Sequence, residues 1–353
     1  MKKHIAIVFG GKSPEHEISV RSAKNIIAAI DRSLFDLSLI GIDRKGIWRL
    51  LEDEHIDKYV PESGPQIAFS LGEQHPLFLK ESGTAIEGID LLYLVLHGPN
   101  GEDGTVQGLV RLLGFPFIGP DVLGASAAMD KEITKRLLQE AGVMVAPGLT
   151  AYDYQAASLD YQHISTQLGK PVFIKPANMG SSVGVHKVRN QEEFDKAIAD
   201  AFLYDRKILI ESMIHGREVE CAVMGNSHPK ASTIGEIVTT EEYSFEEKYA
   251  DSSETAIHIP AQISASDIER LRAVAIQAYR AVDCEVLTRV DMFLTDSGDI
   301  YVNELNTLPG FTSISMYPKL WEHEGLSYTD LITQLIGYAF ERHEKKEGLK
   351  MTW

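Results

Sequence analysis

Four side chains in residues 286–315 have types and spacing suited to chemistry: Arg289, Asp291, Glu304 and Asn306. The stretch reads V-L-T-R-V-D-M-F-L-T-D-S-G-D-I-Y-V-N-E-L-N-T-L-P-G-F-T-S-I-S, two apolar runs around a Thr-Asp-Ser-Gly-Asp turn. Side chains two apart on a strand share a face, so Arg289 pairs with Asp291 and Glu304 with Asn306. Folding the hairpin with Ser297-Gly298 at its tip sets Asp291 opposite Glu304 and Arg289 opposite Asn306. Opposed side chains sit roughly 5 Å apart, where two carboxylates repel unless a cation lies between them. Two carboxylates and an amide oxygen suit a hard cation such as Mg²⁺, which takes oxygen ligands and leaves room for phosphate oxygens. The alternative is a solvated polar face. The flanking Val, Leu and Phe residues favour a buried sheet, and Arg289 adds a fixed cation.

Weaker signals lie elsewhere in the chain. Lys175 stands at a strand edge before P-A-N-M-G-S-S-V-G, a flap whose N–H and hydroxyl groups can turn toward phosphate. Glu15 and Glu17 lie where a strand, a G-G-K-S-P loop and a helix N-terminus meet; complementing the helix dipole is their simplest role. The Walker template fails, because Ala6 stands where it needs glycine. His97 closes a buried strand and opens G-P-N-G-E-D-G, at a strand end where open α/β sheets bind ligands; a proton carrier and a structural histidine fit it equally. Residues 236–254 are long, acidic and irregular, with Lys248 and Tyr249 the basic and aromatic exceptions.

These residues need elements to hold them. Residues 5–9 and 37–42 read as strands, with a helix between them whose Ala23, Ile26, Ile27 and Ile30 share a face. Strand and helix alternate to about residue 121, which predicts an open, largely parallel sheet. A helix begins at Asp130-Lys131, and G-V-M-V-A-P-G then gives a strand and a turn. Residues 207–211 and 217–224 read as strands around a hinge at 212–216. Residues 266–282 read as a helix with Ser266 and Glu269 as its capping box. The last helix carries the stripe Leu331, Ile332, Leu335, Ile336, Ala339 and Phe340.

At 353 residues the chain exceeds one core, so two or three domains are expected. Its 51 acidic against 34 basic residues give a net charge of −17, which disfavours nucleic acid and anionic membranes as partners. Its two cysteines, Cys221 and Cys284, sit in apolar runs without a Cys/His cluster, so they read as buried free thiols. No segment approaches the ~20 apolar residues of a membrane helix, and the short run at 5–9 lacks the flanks of a signal peptide. A cytoplasmic location is the expectation.

Taken in order, G-G-K-S-P-E-H-E-I-S, H-G-P-N-G-E-D-G, M-D-K, K-P-A-N-M-G-S-S-V-G, E-K-Y, R-V-D and N-E-L-N-T-L-P-G-F-T-S-I-S-M-Y-P resemble the D-alanine–D-alanine ligases of the ATP-grasp superfamily, across essentially the whole chain. The resemblance implies an α/β fold of three ATP-grasp domains, here near 1–126, 127–216 and 217–353. It implies ATP as co-substrate, two Mg²⁺ (or Mn²⁺), two D-alanines joined through an acyl phosphate for cell-wall precursors, and a homodimer, and leaves room for a monovalent cation. It assigns Asp291, Glu304 and Asn306 to metal, and Lys131, Lys175 and Lys248 to phosphates. Glu211, Met213 and Ile214 fall to adenine and Glu218 to ribose. Glu15 resembles the partner of the first substrate's ammonium, linked to Ser181 and Tyr249. Arg289 and the Gly310 N–H resemble an oxyanion hole. Ser315 and Met316 resemble the seat of the second carboxylate, with His97 nearby. The 236–254 loop would close over the acyl phosphate, and Tyr249→Phe should loosen it. Rival readings are a D-alanine–D-lactate ligase, another carboxylate–amine ligase of this superfamily, and a nucleotide-binding regulator without turnover. Tyr249, the Glu15 loop with Ser315, and the complete set of Arg289, Asp291, Glu304 and Asn306 argue against each in turn.

Overall fold

The computed structural model describes residues 2–51, 56–238 and 256–350. Three sheets organise the chain. The first contains β1 (Lys3–Gly10), β2 (Phe35–Ile42), β3 (Trp48–Leu51) and β6 (Leu91–Val95) in the order β3-β2-β1-β6; a small hairpin, β4 (Ile67–Phe69) and β5 (Leu77–Leu79), stands beside it. β2, β1 and β6 run parallel and β3 antiparallel at the edge, so the sheet is open and largely parallel, as the alternation predicts. Continuous apolar strands such as I-A-I-V-F bury on both faces, which suits a sheet covered by helices. Helix α1 (His16–Ala29) turns Ala23, Ile26 and Ile27 into that core.

Three helices follow: α2 (Thr105–Leu112), α3 (Val122–Met129) and α4 (Lys131–Glu140). Asp130 caps α4 by accepting from the N–H groups of Glu132 and Ile133, which places Lys131 in its first turn. Residue 126 falls within α3 and residue 216 in the turn after β10.

The second sheet has the order β7-β10-β8-β9, from β7 (Gly148–Tyr152), β8 (Val172–Pro176), β9 (His186–Val188) and β10 (Lys207–Ser212). It packs α5 (Tyr161–Leu168) and α6 (Gln191–Ala201) into a separate core around Ile174, Phe194 and Ile210. The strand expected within G-V-M-V-A-P-G forms after that turn instead. Val145 makes only an isolated bridge to Val302, because Pro147 cannot donate to a ladder and pairing starts at Gly148.

The third sheet has the order β13-β12-β11-β14-β15, all antiparallel: β11 (Arg217–Gly225), β12 (Lys230–Val238), β13 (Ala256–His258), β14 (Val286–Leu294) and β15 (Ile300–Asn306). Helix α7 (Ala265–Ala281) lies against it. Its cap is Ser264, whose side chain accepts from the Asp267 N–H, not Ser266 with Glu269. The two Ser-x-x-acid patterns overlap two residues apart, and the cap falls two residues earlier than expected. Helices α8 (Met316–His323) and α9 (Tyr328–Glu347) join their buried faces to the core of the first sheet, the α9 stripe of Leu331, Ile332, Leu335 and Ile336 among them.

Candidate active site

The β14–β15 hairpin has the register read from the sequence: Asp291 faces Glu304 and Arg289 faces Asn306. The route differs. Leu294 pairs with Ile300 and Met292 with Val302, one residue short, and Asn303 then bulges out and restores the pairing at Asp291. Without that bulge Asp291 would face Asn303. On the other side β11 places Glu220 opposite Asp291. Three carboxylates therefore stand in a row across neighbouring strands, and Arg289 offsets them. Its Nε and Nη2 donate to the two Asp291 oxygens, both at 2.7 Å, and Nε lies 3.0 Å from Glu220 Oε2.

The donor set fits a hard cation. Among the described residues no three His, Cys, Asp or Glu side chains converge as a metal cluster. The candidates are instead two opposed carboxylates and one amide, and the Asn306 Oδ1 is buried without a hydrogen-bond partner. A buried unsatisfied oxygen beside paired carboxylates is what a bound cation would relieve.

Cations converge on the same hairpin from the second sheet and α4. Lys131 Nζ donates to the Met179 carbonyl at 2.6 Å and lies 3.4 Å from Glu304. Lys175 Nζ lies 2.8 Å from Glu211 and donates to Asn303 Oδ1 at 3.2 Å. Lys135, one helical turn after Lys131, lies 2.8 Å from the other Glu211 oxygen. Burial raises the Glu211 carboxyl, and Lys175 and Lys135 more than reverse that, so it sits below its ordinary range. Burial and then the charge of Lys175 pull Lys135 down to about 8 despite Glu211. The sequence reading gives no role to Lys135, Asn303 or Glu220. Lys135 was legible as i+4 from Lys131, and Glu220 as the face-mate of Glu218; the Asn303 bulge had no local signal.

Met213 and Ile214, half-buried, form the turn from β10 to β11, and Glu218 follows on β11 opposite Phe293. The flap carries Ser181 and Ser182 at φ 52° and 60°, a left-handed pair that turns the Ser181 hydroxyl onto the Glu15 carboxylate. Glu15 precedes α1 without capping it by its side chain, so its carboxylate reaches outward from the first sheet. A Cβ on Gly98 would come within 2.6 Å of Glu15 Oε2, and Gly98 has φ 72°, so only glycine fits that approach.

His97 is buried, with Nδ1 2.8 Å from the Leu308 carbonyl and Nε2 3.4 Å from Ser22 Oγ. Burial holds its pKa below the ordinary value, so the ring is neutral with Nδ1 as donor to Leu308. Gly310 lies against Ser315, whose Oγ would be 2.8 Å from a Cβ there; Ser315 caps α8 by position, its hydroxyl bonding Thr312 rather than the helix. Met316 packs on Gly235. Lys248 and Tyr249 lie outside the described residues.

The geometry thus joins all three sheets at one place, with cations from one side and carboxylates from another. A family model described as D-ala D-ala ligase N-terminus matches residues 4–120, and one described as D-ala D-ala ligase C-terminus matches residues 137–337. The chain belongs to the D-alanine–D-alanine ligase family. It is similar to the D-alanine–D-alanine ligase of Shouchella clausii, 49% identical with 99% of this chain and 98% of that protein covered. It is 45% identical to the D-alanine–D-alanine ligase A of Escherichia coli K12, covering 99% of each. Among solved structures, the D-alanine–D-alanine ligase of Coxiella burnetii superposes with a TM-score of 0.86 at 35% identity, covering 98% of this chain and 97% of that one. The VanG D-Ala:D-Ser ligase of Enterococcus faecalis gives 0.85 at 34% identity, covering 96% and 100%. The fold is therefore ATP-grasp and the chain an enzyme of the ligase class. No helix among the described residues is long and apolar enough to cross a membrane.

Proposed function

We propose that this ligase joins two D-alanines with ATP, giving D-alanyl-D-alanine, ADP and phosphate for peptidoglycan precursors. The observation that carries this reading is the Asp291–Glu304 pair beside Arg289, with the Asn306 oxygen left unpaired. Asp291, Glu304 and Asn306 would hold two Mg²⁺ (or Mn²⁺). When bound, these ions supply charge neutralisation at the β- and γ-phosphates.

The chain's own residues do the rest. Lys131 and Lys175 bind phosphate oxygens, joined by Lys248. Glu211, Met213 and Ile214 receive adenine, and Glu218 the ribose hydroxyls. Glu15, held by Ser181 and linked to Tyr249, anchors the ammonium of the first D-alanine, so that the substrate's carboxylate can attack the γ-phosphorus while the bond to the β–γ bridging oxygen breaks and ADP leaves. Ser315 and the Met316 backbone seat the carboxylate of the second. Its amine then attacks the acyl phosphate carbonyl, the carbon–oxygen bond to phosphate breaks, and Arg289 with the Gly310 N–H stabilises the oxyanion between. A neutral His97 bonded to Leu308 orients this second site.

Three domains divided near residues 126 and 216, a cytoplasmic homodimer, and closure over the intermediate of the segment read from sequence as the 236–254 loop, whose first three residues instead end β12, complete the reading; the closed segment keeps water from the acyl phosphate. Phosphate release from ATP with and without D-alanine tests it. Release that depends on D-alanine and matches dipeptide formed is expected; release indifferent to D-alanine contradicts it. Offering D-lactate and D-serine in competition reads the second-substrate choice, for which D-alanine should win at neutral pH.

A further inference from the structure

We propose that Glu102 is a positioning residue for amide formation: with His97 it holds the Leu308 peptide from both sides and so fixes where the Gly310 N–H points. This rests on the ligase reading above.

The two oxygens of Glu102 have separate duties. Oε1 accepts from the Leu308 N–H at 3.1 Å, and Oε2 from the Gly98 N–H at 2.7 Å. His97 donates to the Leu308 carbonyl at 2.8 Å. One loop of the first sheet thus takes both backbone groups of a residue 206 positions further along the chain than Glu102. Burial, with the negative charge of Glu15 beside it, pushes the Glu102 carboxyl up to about 8, yet both of its oxygens are taken by backbone N–H groups from two distant segments, so the contact sets position rather than merely filling space.

The segment beyond Leu308 is committed in the same way. Pro309 has no N–H. The Phe311 N–H donates to Ser22 Oγ at 3.1 Å, and the Thr312 N–H to Ser315 Oγ at 3.0 Å. The Phe311 carbonyl accepts from Asn25 at 3.1 Å and from the Tyr328 hydroxyl at 2.6 Å. Among the described residues, Gly310 carries the one N–H of residues 308–312 that no protein acceptor takes. The cavity between His97, Leu308, Pro309 and Phe311 measures about 10 Å³, so the segment has no room to shift inward. An oxyanion donor works when it is oriented before charge develops. Here the free N–H is what remains after its neighbours have been tied down, and Glu102 ties the first of them.

The Glu102 oxygens bond the Leu308 and Gly98 N–H groups and neither the lysines nor Asp291, and its influence on Glu15 and Glu304 is electrostatic only, so the phosphoryl step should depend on it less than amide formation does. Loss of its grip delays attack by the amine. The waiting acyl phosphate then reacts with water: a carbon–oxygen bond to water forms, the carbon–oxygen bond to phosphate breaks, and D-alanine is returned with phosphate. The test uses the full chain carrying Glu102→Gln, which keeps volume but turns an NH₂ toward one of the two N–H donors, and Glu102→Ala. Phosphate and dipeptide are measured together at saturating Mg-ATP and D-alanine. The expected result is a phosphate-to-dipeptide ratio at least twofold above that of the parent, a tenfold or greater fall in dipeptide turnover, and an ATP KM within twofold of the parent. A ratio that stays at one in both variants overturns the proposal, whether turnover is parental or lowered. A parent that makes no dipeptide contradicts the ligase reading itself; coupled variants beside an active parent contradict this inference alone.

Discussion

Glu220 and Asp291 face each other on neighbouring strands, and both hold the Arg289 guanidinium, at 3.0 Å and 2.7 Å. Arg289 is thereby locked on the same face of β14 as Asp291, with its charge shared between two buried carboxylates. Removing one oxyanion donor costs about 10²–10³ in kcat in comparable sites. Arg289→Met should lose that much dipeptide turnover with a small change in ATP KM. Glu220→Gln should lose about tenfold, because Asp291 alone still holds the guanidinium bidentately. Steady-state kinetics on both variants check this; a Glu220→Gln loss equal to that of Arg289→Met would mean that Glu220 acts directly.

The Ser181 hydroxyl bonds the Glu15 carboxylate across two sheets. A hydrogen bond to a charged group contributes about 1.5–3 kcal/mol. Ser181→Ala should therefore raise the KM of the first D-alanine about tenfold or more and leave the fold intact. Initial rates across D-alanine concentration separate the two substrate sites and read it directly.

Lys135 titrates near 8, and a nucleotide polyanion favours its protonated form. ATP affinity should fall as pH rises through 8, and binding above that pH should take up a proton. Calorimetry in buffers of different ionisation enthalpy measures the uptake, and Lys135→Met should abolish it. The sign for stability runs opposite to that of a paired lysine. Its folded pKa is about 8 and the unfolded value about 10.4, so the unfolded chain binds more protons in between. In the ligand-free protein this group's contribution therefore makes stability rise with pH from about 8 to 10.4.

Arg342 in α9 is buried and donates to the carbonyls of Phe117, at 2.6 Å, and Gly119. It also pairs with Glu285 at 3.6 Å. Arg342→Ala leaves these acceptors without their donor, a loss of about 3–5 kcal/mol. Urea unfolding should show that shift in midpoint with little change in slope.

What the sequence made legible was local. Strand alternation and a Ser-Gly turn placed Asp291 opposite Glu304, because side-chain period and turn chemistry act within a few residues. The match at that pair nonetheless depends on the Asn303 bulge, which closes a turn one residue longer than the assumed tip. The Ser264 cap was misread for the same reason in reverse: two local patterns were equally good, and packing chose between them. Contacts such as Glu102 with Leu308 or Arg342 with Phe117 join residues more than 200 positions apart and leave no periodicity to read. Lys135 shows the middle case, a helix neighbour of Lys131 whose partner Glu211 only the fold brings near.

The central claim is that ATP's terminal phosphoryl passes to the carboxylate of the first D-alanine. D-alanine labelled with ¹⁸O in its carboxylate, turned over with Mg-ATP, tests it by mass spectrometry of the phosphate released. The account predicts one labelled oxygen in each phosphate formed per dipeptide; dipeptide made with unlabelled phosphate would contradict it.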